Sequence, residues 1–483
     1  DCMLAGFVVL YLLASIGIGL WAARRVHTSR DYAVAGRSLP LHVVTATVFA
    51  TWFGSETVLG IPARFLEGGL SAVVEDPFGS SACLVLVGLF FAARLYRMDL
   101  LTIGDFFRRR YGPRVELVTA VVIVVSYLGW VAAQLVALGL VFEVVSGGAV
   151  TPGAGIVIGA AVVVLYTLFG GMFSVAWTDF MQMVLIVVGL LAIAWVLGGA
   201  AGGVGEVVAH AQRSGKLRLL PGGGLREWLW FAGAALTMML GSIPQQDVFQ
   251  RVTSARTARL SVAGTVLGGV AYFAFAFVPM FLAYSATLVD PALVAGHLHS
   301  DPQHILPLLV MRHAAVPAQI LFFGALLSAI LSTASGTLLA PSVTFTENVL
   351  RRFLRPDLTD RQLLRTMRIV VACFSTAVVI FALRSDSSIY EMVGNAYKVT
   401  LVGAFVPLVA GLWWPRATAA GALASIALGI GTWAALEWTA PAGLWPPQLA
   451  GLIAAGVGMI TGSLVGPSPS GDGGRHGAPA TRS

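Results

Sequence analysis

The fold class that this sequence predicts is an all-α polytopic membrane protein, and three observations predict it. Hydrophobic residues make up 57% of the 483 and charged residues only 11%, too few charges to cover a water-soluble globule of this size. The apolar residues are gathered into runs of roughly 17 to 28, the length a helix needs to cross a hydrocarbon core about 30 Å thick. Short loops carrying most of the charge separate these runs, and no stretch is left over for a soluble domain.

In chain order the runs are 3–23, 41–61, 71–95, 116–144, 151–169, 176–200, 226–243, 260–286, 318–345, 366–384, 388–413, 417–436 and 447–466, which predicts about 13 transmembrane helices. The first has no A-x-A sequence after it, which favours a retained helix over a cleaved signal. Runs 151–169 and 388–413 hold Gly and Pro, which membrane helices tolerate. Residues 1–466 are expected to form one transmembrane domain, and 467–483, rich in Gly, Pro and Ser, a disordered cytoplasmic tail.

The formal charge is +7, and 28 of the 30 basic residues are Arg scattered through short loops. That pattern reads as membrane orientation and not as a nucleic-acid surface. Alternate loops hold 22 and 7 basic residues; the richer set is expected in the cytoplasm, which puts the N-terminus outside and the C-terminus inside the inner (plasma) membrane. Cys2, Cys83 and Cys373 have neither CxxC nor Cys/His spacing, so no disulfide framework or zinc site is expected.

Two runs are interrupted, one at Gly54-Ser55-Glu56 and one at Gly241-Ser242-Ile243-Pro244-Gln245. They are the second and seventh runs, the offset expected of two inverted five-helix repeats, about 41–200 and 226–413. Broken backbone inside lipid is tolerated where it lines a cavity or binds something, so ion and solute sites are expected near the breaks. The ninth run carries a hydroxyl cluster, Ser328 to Ser335 with Ser332 and Thr333 at its centre. Its oxygens suit a small alkali cation, and they equally suit close helix packing.

Several separate stretches, namely Asp31-Tyr32, Ala35-Gly36-Arg37, Leu165 through Asp179, Phe249-Gln250-Arg251 and Leu331-Ser332-Thr333, together resemble the sodium:solute symporter family, whose core is of the LeuT type. The resemblance implies a sodium ion between spans 2 and 9, held by carbonyls of Ala50, Phe53 and Ala329 and the hydroxyls of Ser332 and Thr333. It also implies a part for Asp179 in sodium exit to the cytoplasm; a helix-end charge satisfied by water is the other reading of that residue. Within the family the likeness leans to the choline-transporting branch, where a cage of aromatic rings holds a quaternary ammonium. Trp52 and Trp130 match two cage positions, while Gln245 stands where that branch has Trp and Thr57 where the sugar-transporting branch has Gln. Both tryptophans also read as packing residues.

Glu56, in the first break, and Lys398, in the eleventh run, are ionisable residues at membrane depth, where charge is costly and usually functional. If both face a central cavity, Lys398 would bind a carboxylate and Glu56 an ammonium group. Alternatively they pair with each other or with Glu75 or Asp76, or Lys398 carries protons. The expected function is sodium-coupled symport of a small organic solute that is an amine, betaine-like or amino-acid-like. A proton-coupled transporter and a membrane sensor working with a separate signalling chain are the alternatives, the stretch after residue 466 being too short for a kinase. The sequence names no protein partner, and no GxSxG, HExxH or P-loop motif suggests an enzyme.

Overall fold

The computed structural model describes residues 2–24 and 26–465. Among them the long elements are all helical, and the strand-type pairing is an isolated bridge between Leu39 and Ala255. Helix α1 (Cys2–Ala23) is followed by α2 (Leu41–Trp52), which stops at Phe53 and resumes through a π-turn, Glu56–Gly60, into α3 (Ile61–Gly68). Then come α4 (Leu70–Arg97), a short α5 (Ile103–Tyr111), α6 (Pro113–Ser146) and the long α7 (Pro152–Ala200). The second broken helix is α8 (Leu225–Gly241) with α9 (Gln246–Ser254). The rest are α10 (Ala258–Val289), α11 (Val316–Leu354), α12 (Asp360–Ala382), α13 (Ile389–Trp413), α14 (Ala419–Thr439) and α15 (Pro447–Val465).

Among the described residues, ten helices are long and apolar enough to cross a membrane. Three of the predicted thirteen spans fall short for physical reasons. Run 41–61 is divided between α2 and α3, and the 12 residues of α2 reach only about 18 Å at 1.5 Å per residue. Run 226–243 became α8, which ends at its own break, and 151–169 is the first limb of α7. The sequence separates 151–169 from 176–200, and the chain leaves helical geometry between them at Gly171, whose φ is 50° and ψ −147°. A side chain there would be strained, and its Cβ would lie 2.5 Å from Tyr32. The hydroxyl of Tyr32 donates to the carbonyls of Thr167 (3.3 Å) and Leu168 (3.4 Å), so two of the sequence motifs meet at this bend. The predicted tail, 467–483, lies outside the described residues.

The polar sequence signals at helix starts are realised as caps. Thr102 with Asp105 closes a capping box on α5, Thr359 with Gln362 on α12 and Ser388 with Glu391 on α13. α2 packs against α7, α10 and α11, α6 against α11 and α13, and α14 against α15. Leu10, Trp195 and Trp438 stand exposed on outer helices, as expected of surfaces that lipid solvates. The interior holds Trp52, Trp130, Tyr127, Tyr397, Phe49, Phe53 and Arg251, all buried. The two broken helices are tied at one end: Leu39 N–H donates to Ser254 O (3.0 Å), Arg256 N–H to Leu39 O (2.9 Å), and the Gln250 amide to Ala33 O (2.9 Å).

Candidate functional site

The first break is built from main chain. α2 ends at Phe53 with φ −89° and ψ 69°, outside helical geometry, which turns the carbonyls of its last residues away from a continuing ladder. Opposite them lies α11. Thr333 Oγ1 donates to the carbonyls of Thr51 (2.8 Å) and Ala50 (3.4 Å). Gly54 lets the two helices meet here, because a Cβ on it would lie 2.6 Å from Thr333 Oγ1 and 2.6 Å from Glu56 Oε2.

Beside this contact is a fully buried polar network. Ser332 Oγ donates to Asp179 Oδ1 (2.6 Å), and Asp179 Oδ2 accepts from Thr47 (2.5 Å) and Thr51 (3.4 Å). Arg251 Nε and Nη2 donate to Thr51 Oγ1 at 3.0 and 2.7 Å, while its Nη1 donates to the main-chain oxygen of Asp247 at 3.1 Å. Of the residues expected to bind sodium, Ala50, Ser332 and Thr333 are therefore adjacent. Phe53 caps α2 next to Gly54, and Ala329 is buried one helical turn before Thr333. Among the described residues no cluster of three or more His, Cys, Asp or Glu exists for a transition metal. Hydroxyls, carbonyls and a single carboxylate are hard oxygen donors, and they fit a small monovalent cation such as sodium.

From Trp52, the residue after Thr51, the site becomes aromatic. Trp52 stacks on Tyr397 (centroids 5.8 Å, planes 18° apart) and meets Trp130 edge-on (5.8 Å, 65°). Trp130 in turn stacks on Tyr127 (6.0 Å, 17°) and leans on Tyr397 (5.2 Å). Glu56 anchors the group from the break: its Oε1 accepts from Trp130 Nε1 (3.2 Å) and its Oε2 from Gln134 Nε2 (2.8 Å). The Gln134 carbonyl accepts from Ser55 N–H (2.9 Å), so the start of the π-turn is fixed to α6. Thr57 Oγ1 donates to Trp52 O (3.1 Å) and lies 3.0 Å from Tyr272 OH, which donates to Asp76 (2.6 Å). The Gln245 amide donates to Ser126 (3.1 Å) and Thr400 (3.2 Å).

Lys398 is placed elsewhere. It lines a cavity of about 620 Å³ with Glu75, Arg64, Trp230, Tyr390 and Glu391, on the side of the 201–225 loop, whereas its neighbour Tyr397 turns to the aromatic cluster. Among the described residues no ion pair within 4.0 Å includes Lys398 or Glu56. The structure thus brings Glu56 to Trp52 and Trp130, and sets Lys398 with Glu75.

Sequence reading missed Tyr127, Gln134, Tyr397, Asp247 and the placement of Arg251. Gln134 is four residues after Trp130 and Tyr127 three before it, so helical spacing in an apolar run put all three on one face. Asp247 lies three residues after Pro244, across the second break, and an acid at that depth was a signal in itself.

Comparison with known proteins gives the family and the fold. A family model described as the sodium:solute symporter family matches residues 32–429. The high affinity choline transporter 1 of Homo sapiens is 30% identical, the match covering 79% of this chain and 67% of the relative. The Caenorhabditis elegans high-affinity choline transporter 1 is 27% identical, over 88% of this chain and 76% of its own. The osmoregulated proline transporter OpuE of Bacillus subtilis is 26% identical, over 88% and 86%. Among solved structures, a Na+-coupled sialic acid symporter in its outward-open state superposes with a TM-score of 0.81 at 20% identity, covering 96% of this chain and 98% of that one. Mhp1, a nucleobase-cation-symport-1 transporter, superposes with a TM-score of 0.62 at 16% identity, over 89% and 93%.

Proposed function

This chain belongs to the sodium:solute symporter family and is a LeuT-type, multi-pass membrane transporter that couples sodium to a small organic solute; we propose that the solute carries an ammonium group, as an amine, a betaine-like compound or an amino acid does. The observation that carries this reading is Glu56, a buried carboxylate held by Trp130 and Gln134 beside the cluster in which Trp130 meets the stacked Trp52 and Tyr397 rings. An aromatic face attracts a cation by about 0.5 to 2 kcal/mol, more as water is excluded, and a carboxylate at the edge supplies the opposite charge. The solutes in the relatives' names, choline and proline, both bear such a nitrogen.

In this reading sodium is held by carbonyls of Ala50, Phe53 and Ala329 and the hydroxyls of Ser332 and Thr333, with Asp179 as the next acceptor on its way to the cytoplasm. Thr333 already bridges α11 to the end of α2, so a cation there would fix the break. Trp52 and Glu56 lie on the two sides of that break, and ordering it raises solute affinity by linkage. Thr57 and Gln245 flank the solute, each oriented by a neighbouring hydroxyl. The two halves, about 41–200 and 226–413, act as inverted repeats about these sites, in an inner membrane with the N-terminus outside and the C-terminus in the cytoplasm.

Uptake into proteoliposomes tests this directly, with amines, betaines, amino acids, sugars and carboxylates each offered under an inward sodium or potassium gradient. The expected result is sodium-dependent accumulation of an ammonium-bearing solute. Accumulation confined to sugars or carboxylates would overturn the solute class, and accumulation driven equally in potassium by a proton gradient would overturn the ion.

A further inference from the structure

We propose that Asp247 is a specificity-determining residue of the solute site, selecting an ammonium nitrogen that still bears hydrogen, a primary or secondary amine, over a quaternary one. This rests on the reading that an ammonium-bearing solute occupies the aromatic cluster of Trp52, Trp130 and Tyr397.

Asp247 sits in the first turn of α9, directly after the second break, and is 0% exposed. One of its oxygens, Oδ1, is engaged by the hydroxyl of Tyr127, the ring that stacks on Trp130. The other, Oδ2, is buried and has no hydrogen-bond partner. On the other side of Trp130 the hydroxyl of Tyr397 is likewise buried without a partner. Two rings of the cluster therefore lead to polar oxygens that are unsatisfied, and a third, Trp130, donates to Glu56.

The main-chain N–H groups of Asp247 and Val248 at the start of α9 and the nearby Arg251 charge help to tolerate the acid, but they leave Oδ2 without a hydrogen-bond partner. Arg251, the cation one turn along α9, directs its guanidinium to Thr51 Oγ1 and to the main-chain oxygen of Asp247. Among the described residues no ion pair within 4.0 Å joins it to the Asp247 carboxylate. A buried carboxylate oxygen left unpaired is costly, and the group that repairs it best is a charged N–H donor.

Choice between ammonium types follows from donor count. A quaternary ammonium satisfies ring faces and diffuse charge but offers no N–H, so it leaves Asp247 Oδ2 and Tyr397 OH as they are. A primary or secondary ammonium keeps the ring contact and donates as well. Gln245 points the same way, because an amide tied to Ser126 and Thr400 stands in the break where an aromatic wall would favour the quaternary ion.

The test is a series of probes on one carbon skeleton: ethanolamine, N-methylethanolamine, N,N-dimethylethanolamine and choline, each titrated against purified protein in sodium by thermal shift. Wild type should bind ethanolamine more tightly than choline by about tenfold or more, the scale of one charge-assisted hydrogen bond. Asp247→Asn should lower ethanolamine affinity about tenfold and move choline less than about twofold, and Asp247→Glu should keep the order of the series. Equal affinities across the series in wild type, or an equal shift of all four in Asp247→Asn, would overturn the assignment. Equal affinities in the wild-type series overturn the assignment even if the variants fold poorly, and Glu56→Gln, which should keep the preference for ethanolamine over choline, separates Asp247 from the other carboxylate of the site. If none of the four stabilises wild type while a sugar or another neutral solute does, the ammonium reading falls and Asp247 with it. If all four stabilise it equally, that reading stands and only the role of Asp247 fails.

Discussion

The two interrupted helices break in different ways. Between α2 and its π-turn the exposed chemistry is main chain: carbonyls of Ala50 and Thr51 meet Thr333, and Gly54 has no side chain to keep them apart. Between α8 and α9 it is side chain: Ser242 Oγ and Asp247 Oδ2 lie buried without partners, and Gln245 is held by Ser126 and Thr400. Carbonyl oxygens are the same for every residue, so a site made of them can keep one ion while the sequence drifts. Side chains change with each substitution, so the second break is where solute choice can be retuned without disturbing the ion. Glu56 joins the two, since it belongs to the first break and reaches the ring cluster.

The sharpest way to break this contrast is Gly54→Val. Its added atoms have no room against Thr333, and overpacking of this kind costs about 1 to 3 kcal/mol. Sodium-dependent uptake is expected to vanish while protein still reaches the membrane; uptake near the wild-type level would show that the helices do not meet there in function.

Thr333→Ala should raise the sodium concentration for half-maximal uptake about tenfold, equivalent to ~1.4 kcal/mol, and Ser332→Ala somewhat less. Unchanged sodium dependence in both would remove the ion from this place. Glu56→Gln should weaken binding of cationic solutes by roughly tenfold, as expected for one charge-assisted contact, and leave sodium dependence near wild type. A change in the sodium response alone would move Glu56 to the ion side.

The smallest effect is expected at Lys398. It lines the cavity beside the 201–225 loop with Glu75, so Lys398→Ala should change solute affinity by no more than about threefold and chiefly alter how uptake responds to ionic strength, as rim charges do. Loss of every carboxylate-bearing solute in that variant would instead put their carboxylate at Lys398.

Much of this was legible in the residues because lipid simplifies the code. Apolar run length and the two Gly/Pro/Ser interruptions located the helices and their breaks, and the hydroxyls of Thr333 and Ser332 marked the surfaces that meet α2 and Asp179 of α7. What escaped has equally physical causes. The gap between runs 151–169 and 176–200 marked the place of the kink in α7, but the contact that sets it, Gly171 at positive φ against Tyr32, is one that hydropathy does not register. Lys398 and Tyr397 are neighbours in sequence but point to different places, since consecutive helical residues project about 100° apart. Spacing set Gln134 on the face of Trp130 and depth marked Asp247, but each works through a partner on another helix, Glu56 and Tyr127 respectively, and one-dimensional spacing carries no record of such pairs.

The measurement that tests the central claim most directly is thermal stabilisation of the purified protein by an ammonium-bearing solute, compared in sodium and in potassium. A ligand that binds only the folded state raises stability in proportion to its occupancy, and linkage at the first break predicts that this gain is large in sodium and small in potassium, with Thr333→Ala erasing the difference. Equal stabilisation in the two salts, or a sodium effect that survives in Thr333→Ala, would contradict the account.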